Sequence, residues 1–391
     1  MRHPKIFITA AALTLSSTAL AQSTSTDSTD FTVRPTGYVQ FDFRTFPDWE
    51  VRPGTPRLDR DRVSVRRLRG GLNGDWKRAS FEISVDPFDD EDNFVKDAYL
   101  QVALRARHRV RIGQFKVPGS REYDTTARRT DFLERSLLAT ELAAGRDIGV
   151  RLDGRFRALR YEGGVFAGDG VGRGERAGVT TAGRARWEPA RGLEVAMFGS
   201  LGRTTADETD SANGLDGRSP SGYRFFERVY VDGSRIRIGA DVEWTRGLWR
   251  VSADALRVTD QRRAQGVDHD DLPSFLAHSW TVTSSRRFGA GPAKGDRSER
   301  WPWQAALRFE HATFDDADPP TDRGSVRPRA GDIRTRGVDA FTSSLSYRAT
   351  RWARVVGEAG VERYREARSA PTPGRTDNYF TAALRLQLEL P

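Results

Sequence analysis

Seven cations in the first half of the chain have the types and spacing to act together: Arg66, Arg67 and Arg69, then Lys116, Arg135, Arg146 and Arg151. A guanidinium fork holds phosphate or carboxylate through two parallel hydrogen bonds. A ring of Arg or Lys in a low-dielectric throat selects anions. Arg235 and Arg237 join the set from a later run in which Ile236, Ile238, Ala240, Val242 and Trp244 hold the opposite face. Glu122, Asp124, Asp131, Glu134 and Glu141 are interleaved with these cations. Two uses therefore stand open: the cations line a passage for anions, or they pin the segment from Phe115 to Arg146 to a wall through ion pairs.

Other chemistries find few residues. The chain has no cysteine and five scattered histidines, with no i, i+4 pair and no His-Glu-x-x-His, so neither thiolate chemistry nor a zinc site is expected. Acidic groups such as Asp86, Asp89, Asp90, Glu91 and Asp92 lack the fixed spacing of a calcium loop and read as solvated loops. Gly163-Gly164-x-x-x-Gly168-x-Gly170 is followed by no Lys-Ser/Thr and is not a phosphate loop. No cofactor, metal or catalytic residue is expected. His278 or His311 near an external loop is the only handle for a hydrolase.

The elements that position the cations alternate with a period of two. Val110 and Ile112 alternate with Arg109 and Arg111 before the long segment, and Ile148, Val150 and Leu152 alternate with Gly149, Arg151 and Asp153 after it. Similar runs cover Gly37 to Arg44, Asp61 to Trp76 with a phase slip near Arg66-Arg67, Phe81 to Val85, Asp97 to Val102, Leu159 to Phe166, Thr181 to Glu188 and Leu193 to Ser200. Beyond Arg235 to Thr245 lie Trp249 to Ala255, Trp280 with Val282, Trp303 to Glu310, Asp339 to Arg348, Ala353 to Glu362 and Phe380 to Leu390, which makes sixteen. Connections after even-numbered runs are mostly short (Lys77-Arg78, Arg246-Gly247) and those after odd-numbered runs long, although Arg286 to Pro302 breaks the parity. Sixteen runs with one apolar and one charged face, short turns at one end and long loops at the other predict a transmembrane β-barrel. Closure also leaves no unpaired strand edge in hydrocarbon.

Residues 1–21 support export. Met1 to Lys5 are charged, Ile6 to Leu15 are mainly apolar, and Ala19-Leu20-Ala21 is a small-x-small cleavage site, the pattern of a secretory signal peptide. Residues 22–36 read as a flexible polar tail and residues 37–391 as one barrel. The formal charge is +9, and cleavage takes away Arg2 and Lys5 and no acid. A basic chain can suggest nucleic acid, but export and strand alternation exclude that partner.

Gly113-Gln114-Phe115-Lys116-Val117-Pro118, then Phe132-Leu133-Glu134-Arg135-Ser136, then Gly145-Arg146-Asp147-Ile148-Gly149-Val150 resemble the run characteristic of the phosphate-selective porin O and P family. Arg66-Arg67-Leu68-Arg69 and Asp97-Ala98-Tyr99-Leu100 also match its pattern. The resemblance implies a 16-stranded antiparallel β-barrel of the Gram-negative outer membrane, usually a homotrimer, in which basic side chains line a constriction that passes anions. The expectation is an all-β barrel whose long loop after the fifth strand folds inward. Arg66, Arg67, Arg69, Lys116, Arg135, Arg146, Arg151, Arg235 and Arg237 would line the pore. Its partners would be outer-membrane lipid and small anionic or hydrophilic solutes, phosphate or polyphosphate among them. The alternatives are a general hydrophilic-solute porin and an outer-membrane barrel hydrolase.

Overall fold

A computed structural model describes residues 31–45, 62–89, 94–105, 107–168, 178–204, 219, 223, 225, 230–263, 271–290, 301–316, 335–366 and 378–390. The expected signal peptide, the first part of the polar tail and most of the long connections lie outside the described residues. Sixteen strands form one closed ring in sequence order. They are β1 (Phe31–Thr45), β2 (Arg62–Trp76), β3 (Ala79–Val85), β4 (Val95–Arg105), β5 (His108–Lys116), β6 (Arg146–Phe156), β7 (Leu159–Phe166) and β8 (Gly178–Ala190). Then follow β9 (Leu193–Thr204), β10 (Tyr230–Arg246), β11 (Trp249–Arg263), β12 (Asp271–Phe288), β13 (Trp303–Asp316), β14 (Gly337–Thr350), β15 (Ala353–Arg365) and β16 (Asn378–Glu389). β1 closes on β16 antiparallel, Tyr38 opposite Glu389 and Thr45 opposite Ala382.

Alternation decides which side chains meet lipid. Leu100, Ile112, Val150, Ile238, Leu307, Phe341 and Leu384 are exposed on one face, while Asp42, Arg184, Asp254, Arg308 and Arg385 are buried on the other. Trp76, Trp187, Trp244, Trp249, Trp303 and Trp352 are exposed at the tight-turn end, the aromatic girdle expected at a membrane interface. The wall is uneven in height. β3 has 7 residues and β7 has 8, whereas β10 has 17 and β12 has 18.

Three local findings refine the sequence reading. β1 begins at Phe31, not at residue 37, because Phe31-Thr32-Val33-Arg34 already alternates: Phe31 stacks on Phe81 with ring centroids 6.5 Å apart, and Arg34 pairs with Asp75 at 2.5 Å. The phase slip near Arg66-Arg67 is a β-bulge, since Gln40 opposes Arg67 and Phe41 opposes Val65, leaving Arg66 as the extra residue. The buried face is not uniformly charged. Leu256, Val258, Phe275, Ala277, Phe314, Tyr364 and Tyr379 form an apolar patch on β11 to β16.

Gly113 is a position that only glycine fits. Its φ is +130°, and an added Cβ would stand 2.3 Å from the Ala98 carbonyl oxygen. Gly70 has open space where its Cβ would go. Gly113→Val should lower the fraction of folded barrel, read as the heat-modifiable band on semi-native gels, while Gly70→Ala should leave that band unchanged. Equal folding of both variants would remove the steric account of the β4–β5 pair.

Candidate functional site

The segment between β5 and β6 is ordered by its own short motifs. Helix α1 (Arg121–Asp124) is capped by Ser120, whose side chain accepts from the Tyr123 amide, and α2 (Leu137–Glu141) by Ser136, which accepts from the Ala139 amide. The Glu122 carboxylate accepts from the Ser136 amide at 3.0 Å and from the Ser136 hydroxyl, tying the two helices together. Leu137, Leu138 and Leu142 are buried against the apolar patch on the wall.

Polar bonds attach the rest of the segment to one arc of the wall. The Arg184 guanidinium (β8) donates to the Gly119 carbonyl, and Arg121 pairs with Glu194 (β9) at 3.0 Å and Glu243 (β10) at 2.7 Å. Arg237 (β10) donates to the Leu142 carbonyl at 2.9 Å, and Arg250 (β11) pairs with Asp131. Glu310 (β13) accepts from the Leu137 amide at 2.7 Å, and Glu358 (β15) accepts from the Leu133 amide at 2.8 Å. Arg354 (β15) donates to the Thr130 carbonyl at 2.8 Å.

Glu134 is the densest node. Its carboxylate receives Arg44 (β1) at 2.5 Å, Arg66 and Arg67 (β2) at 2.8 and 2.7 Å, and Arg385 (β16) at 3.3 Å. Asp42 shares Arg44 at 2.7 Å and Arg385 at 2.6 Å. The bulge explains how neighbouring residues 66 and 67 both reach one carboxylate. Burial works to raise the Glu134 pKa, but the guanidiniums of Arg66, Arg67, Arg44 and Arg385 outweigh it and hold the carboxyl well below its usual range.

All nine cations singled out from the sequence have partners. Arg66 and Arg67 meet Glu134, Arg69 lies 3.7 Å from Asp86, and Arg146 pairs with Asp97 at 3.1 Å. Arg151 pairs with Asp153 at 2.7 Å and Glu162 at 3.1 Å. Lys116 donates to the Tyr123 carbonyl, and Arg135 to the Thr125 and Glu122 carbonyls. Arg235 and Arg237 share Asp260 at 3.3 and 3.4 Å. The node thus gathers Arg66 and Arg67 but none of the other seven.

A second basic group shares only Arg151 with those nine. On the opposite arc a cavity of about 1210 Å³ is lined by nine arginines against Asp153 and Glu162. Arg107, Arg109 and Arg111 come from β5 and the turn before it, and Arg155, Arg157 and Arg160 from the β6–β7 hairpin. Arg78, Arg151 and Arg186 complete the nine. Arg111 stacks over Tyr99 at 4.0 Å and donates to Gln101 at 2.9 Å. Arg109 and Arg160 are exposed and have no carboxylate partner among the described residues. The signal available in the sequence was the density of arginine around two tight turns.

The phosphate-selective porin O and P family matches residues 33–339. Among curated proteins, none matches. Solved structures with a similar fold include OmpT (in-vitro folded), an outer membrane protein of Vibrio cholerae, at 11% identity and a TM-score of 0.60, covering 93% of this chain and 99% of that one. An anion-selective porin from Comamonas acidovorans aligns at 11% identity and a TM-score of 0.58, covering 92% and 100%.

Two outcomes follow for the segment. Glu134→Gln should leave Arg66 and Arg67 without a counter-charge, and breaking a buried pair costs about 3–5 kcal/mol. Proteolysis between residues 121 and 140 and single-channel noise should both rise; traces and protection matching the parent would remove Glu134 as the anchor. Burial, with the nearby Glu162 charge, pushes Asp124 up to about 7 from 3.8. A carboxyl whose folded pKa is raised stabilises the folded form below about 4, and that contribution is lost as pH rises through 7. Protection of the segment should therefore weaken from pH 5 to pH 8, and Asp124→Asn should flatten that dependence.

Proposed function

The chain belongs to the phosphate-selective porin O and P family, and from that premise we propose that this outer-membrane porin passes small anions along one side of its lumen. The observation that carries the anion preference is the cavity lined by nine arginines and two carboxylates. Residues 117–145 lie across the lumen in this reading. Their polar partners on β8 to β11 and β13 to β2 support it, because those groups sit on the face opposite the lipid-exposed row. The arc from β3 to β7 is then left for solute.

Within that path the nine cations divide. Arg66, whose side chain is 40% exposed, and Arg151, on the cavity wall, meet solute. Arg67, Lys116, Arg135, Arg235 and Arg237 hold the segment and its wall in place, and Arg69 and Arg146 set the potential beside the path. Residues 1–21 serve as the cleaved export leader, the barrel follows, and three copies assemble as the family resemblance implies. His311 bonds Asp339 at 2.6 Å and stacks on Trp280 on the lipid-facing side of the wall, a position that favours the channel over a hydrolase.

The general-porin reading draws on the ion pairs, which cancel most charge along the segment. Reversal potentials in a KCl gradient separate the two. Chloride should be preferred over potassium, most strongly in dilute salt, since the Debye length is about 10 Å at 0.1 M and about 3 Å at 1 M. Arg109→Glu combined with Arg160→Glu should reduce or invert the preference. A parent channel that prefers potassium would leave the general porin, and a double variant with unchanged chloride preference would overturn the assignment of that preference to this cavity. Block of chloride current by added phosphate would extend the reading to a phosphate site.

A further inference from the structure

The lipid-facing side of the tall arc carries a row of ionisable groups near the far edge of its apolar band. On β13 the lipid-facing positions run Trp303, Ala305, Leu307, Phe309 and then the half-buried His311; on β15 they run Val355, Gly357, Ala359, Val361 and then Arg363. The strand register carries the row sideways. Arg257 on β11 opposes His278 on β12, and Asp339 on β14 opposes both His311 and Arg363. Asp339 is already shared, bonding His311 at 2.6 Å and lying 3.6 Å from Arg365. Arg257, His278 and Arg363 are exposed and have no partner among the described residues.

Its height places this row near the far margin of the apolar band, where a long arginine side chain reaches the headgroup layer. His311 stands eight residues along β13 from the girdle residue Trp303. At about 3.3 Å per residue and a strand tilt of about 40°, that is roughly 20 Å across an apolar band about 25 Å tall. Arginine facing lipid is tolerated only near an interface, which fits Arg257 and Arg363 at this level. The row lies toward the ends of the strands that carry the long connections, which in a porin face outward.

We propose that the row on β11 to β15 binds the phosphates of an anionic outer-leaflet lipid, with Arg257 and Arg363 as the two free forks. Charge complementarity selects this occupant. Within the row one shared carboxylate faces a surplus of cations, and a guanidinium holds phosphate bidentately. A second copy of the chain is a poorer fit. A copy presenting its short arc would bring Leu72, Ile83, Leu100, Ile112, Val150 and Val165, which offer no counter-charge.

The full-length barrel in mild detergent can be incubated with bisphosphorylated lipid A or its dephosphorylated form and examined by native mass spectrometry. The parent should retain the bisphosphorylated lipid and lose the dephosphorylated one. Arg257→Gln with Arg363→Gln should lower retention by about fivefold for each guanidinium removed. Heat-modifiable mobility and KCl conductance, unchanged in that variant, establish that it folds. Equal retention of the two lipids by the parent, or equal retention by parent and variant, would overturn the proposal. So would a variant that alters only the oligomeric state.

Discussion

One carboxylate and four guanidiniums hold this molecule to its form. Glu134 belongs to a segment that leaves the barrel after β5, yet its partners are Arg44, Arg66, Arg67 and Arg385 on β1, β2 and β16. Those strands surround the seam where the chain's two ends meet. A lone carboxylate so buried would be driven toward protonation, and four clustered guanidiniums would repel one another. Together they are stable, so neither the seam nor the segment reaches this arrangement without the other. Asp42 adds the second negative charge that lets Arg44 and Arg385 remain beside each other.

In the proposed arrangement, the anchor also decides where free space remains. With Glu134 at the seam and Leu137, Leu138 and Leu142 against the apolar patch of β11 to β16, the segment covers the tall side of the wall. The short strands β3 and β7 stand on the other side, with the arginine-lined cavity between them and their neighbours. An uneven wall and an off-centre segment are thus parts of one arrangement. Apolar contact supplies the burial, and ion pairs fix the direction.

Most of the fold was legible because period-two alternation reports directly on which face meets lipid. Sixteen runs were countable, and even the bulge at Arg66 showed as a break of phase. The extent of β12 was not: Trp280 and Val282 marked a strand that reaches from Asp271 to Phe288, because its buried face is Ser279, Thr281, Thr283 and Ser285, small residues with no strong pattern. The site was half legible. Arg and Glu at alternating places announce that pairs exist but not which ones, since partners such as Glu134 and Arg385 are 251 residues apart. Arg44 and Arg385 look like any other polar-face arginine until the ring closes and sets them side by side.

The arginines therefore form two populations that composition cannot separate. Those at the seam and along the segment each meet a carboxylate or a carbonyl, and a matched pair contributes little field a few ångströms away. Those around the β4–β5 and β6–β7 turns outnumber their acids, so their potential adds instead of cancelling. In the proposed reading, selectivity depends on the second population even though the first is better buried and more regularly placed. A basin of partly hydrated guanidiniums also suits passage better than a buried fork, because an anion held by fully desolvated charges would leave too slowly for conduction. The strongest interactions in this barrel build its walls, and its weaker, solvated ones are suited to the solute.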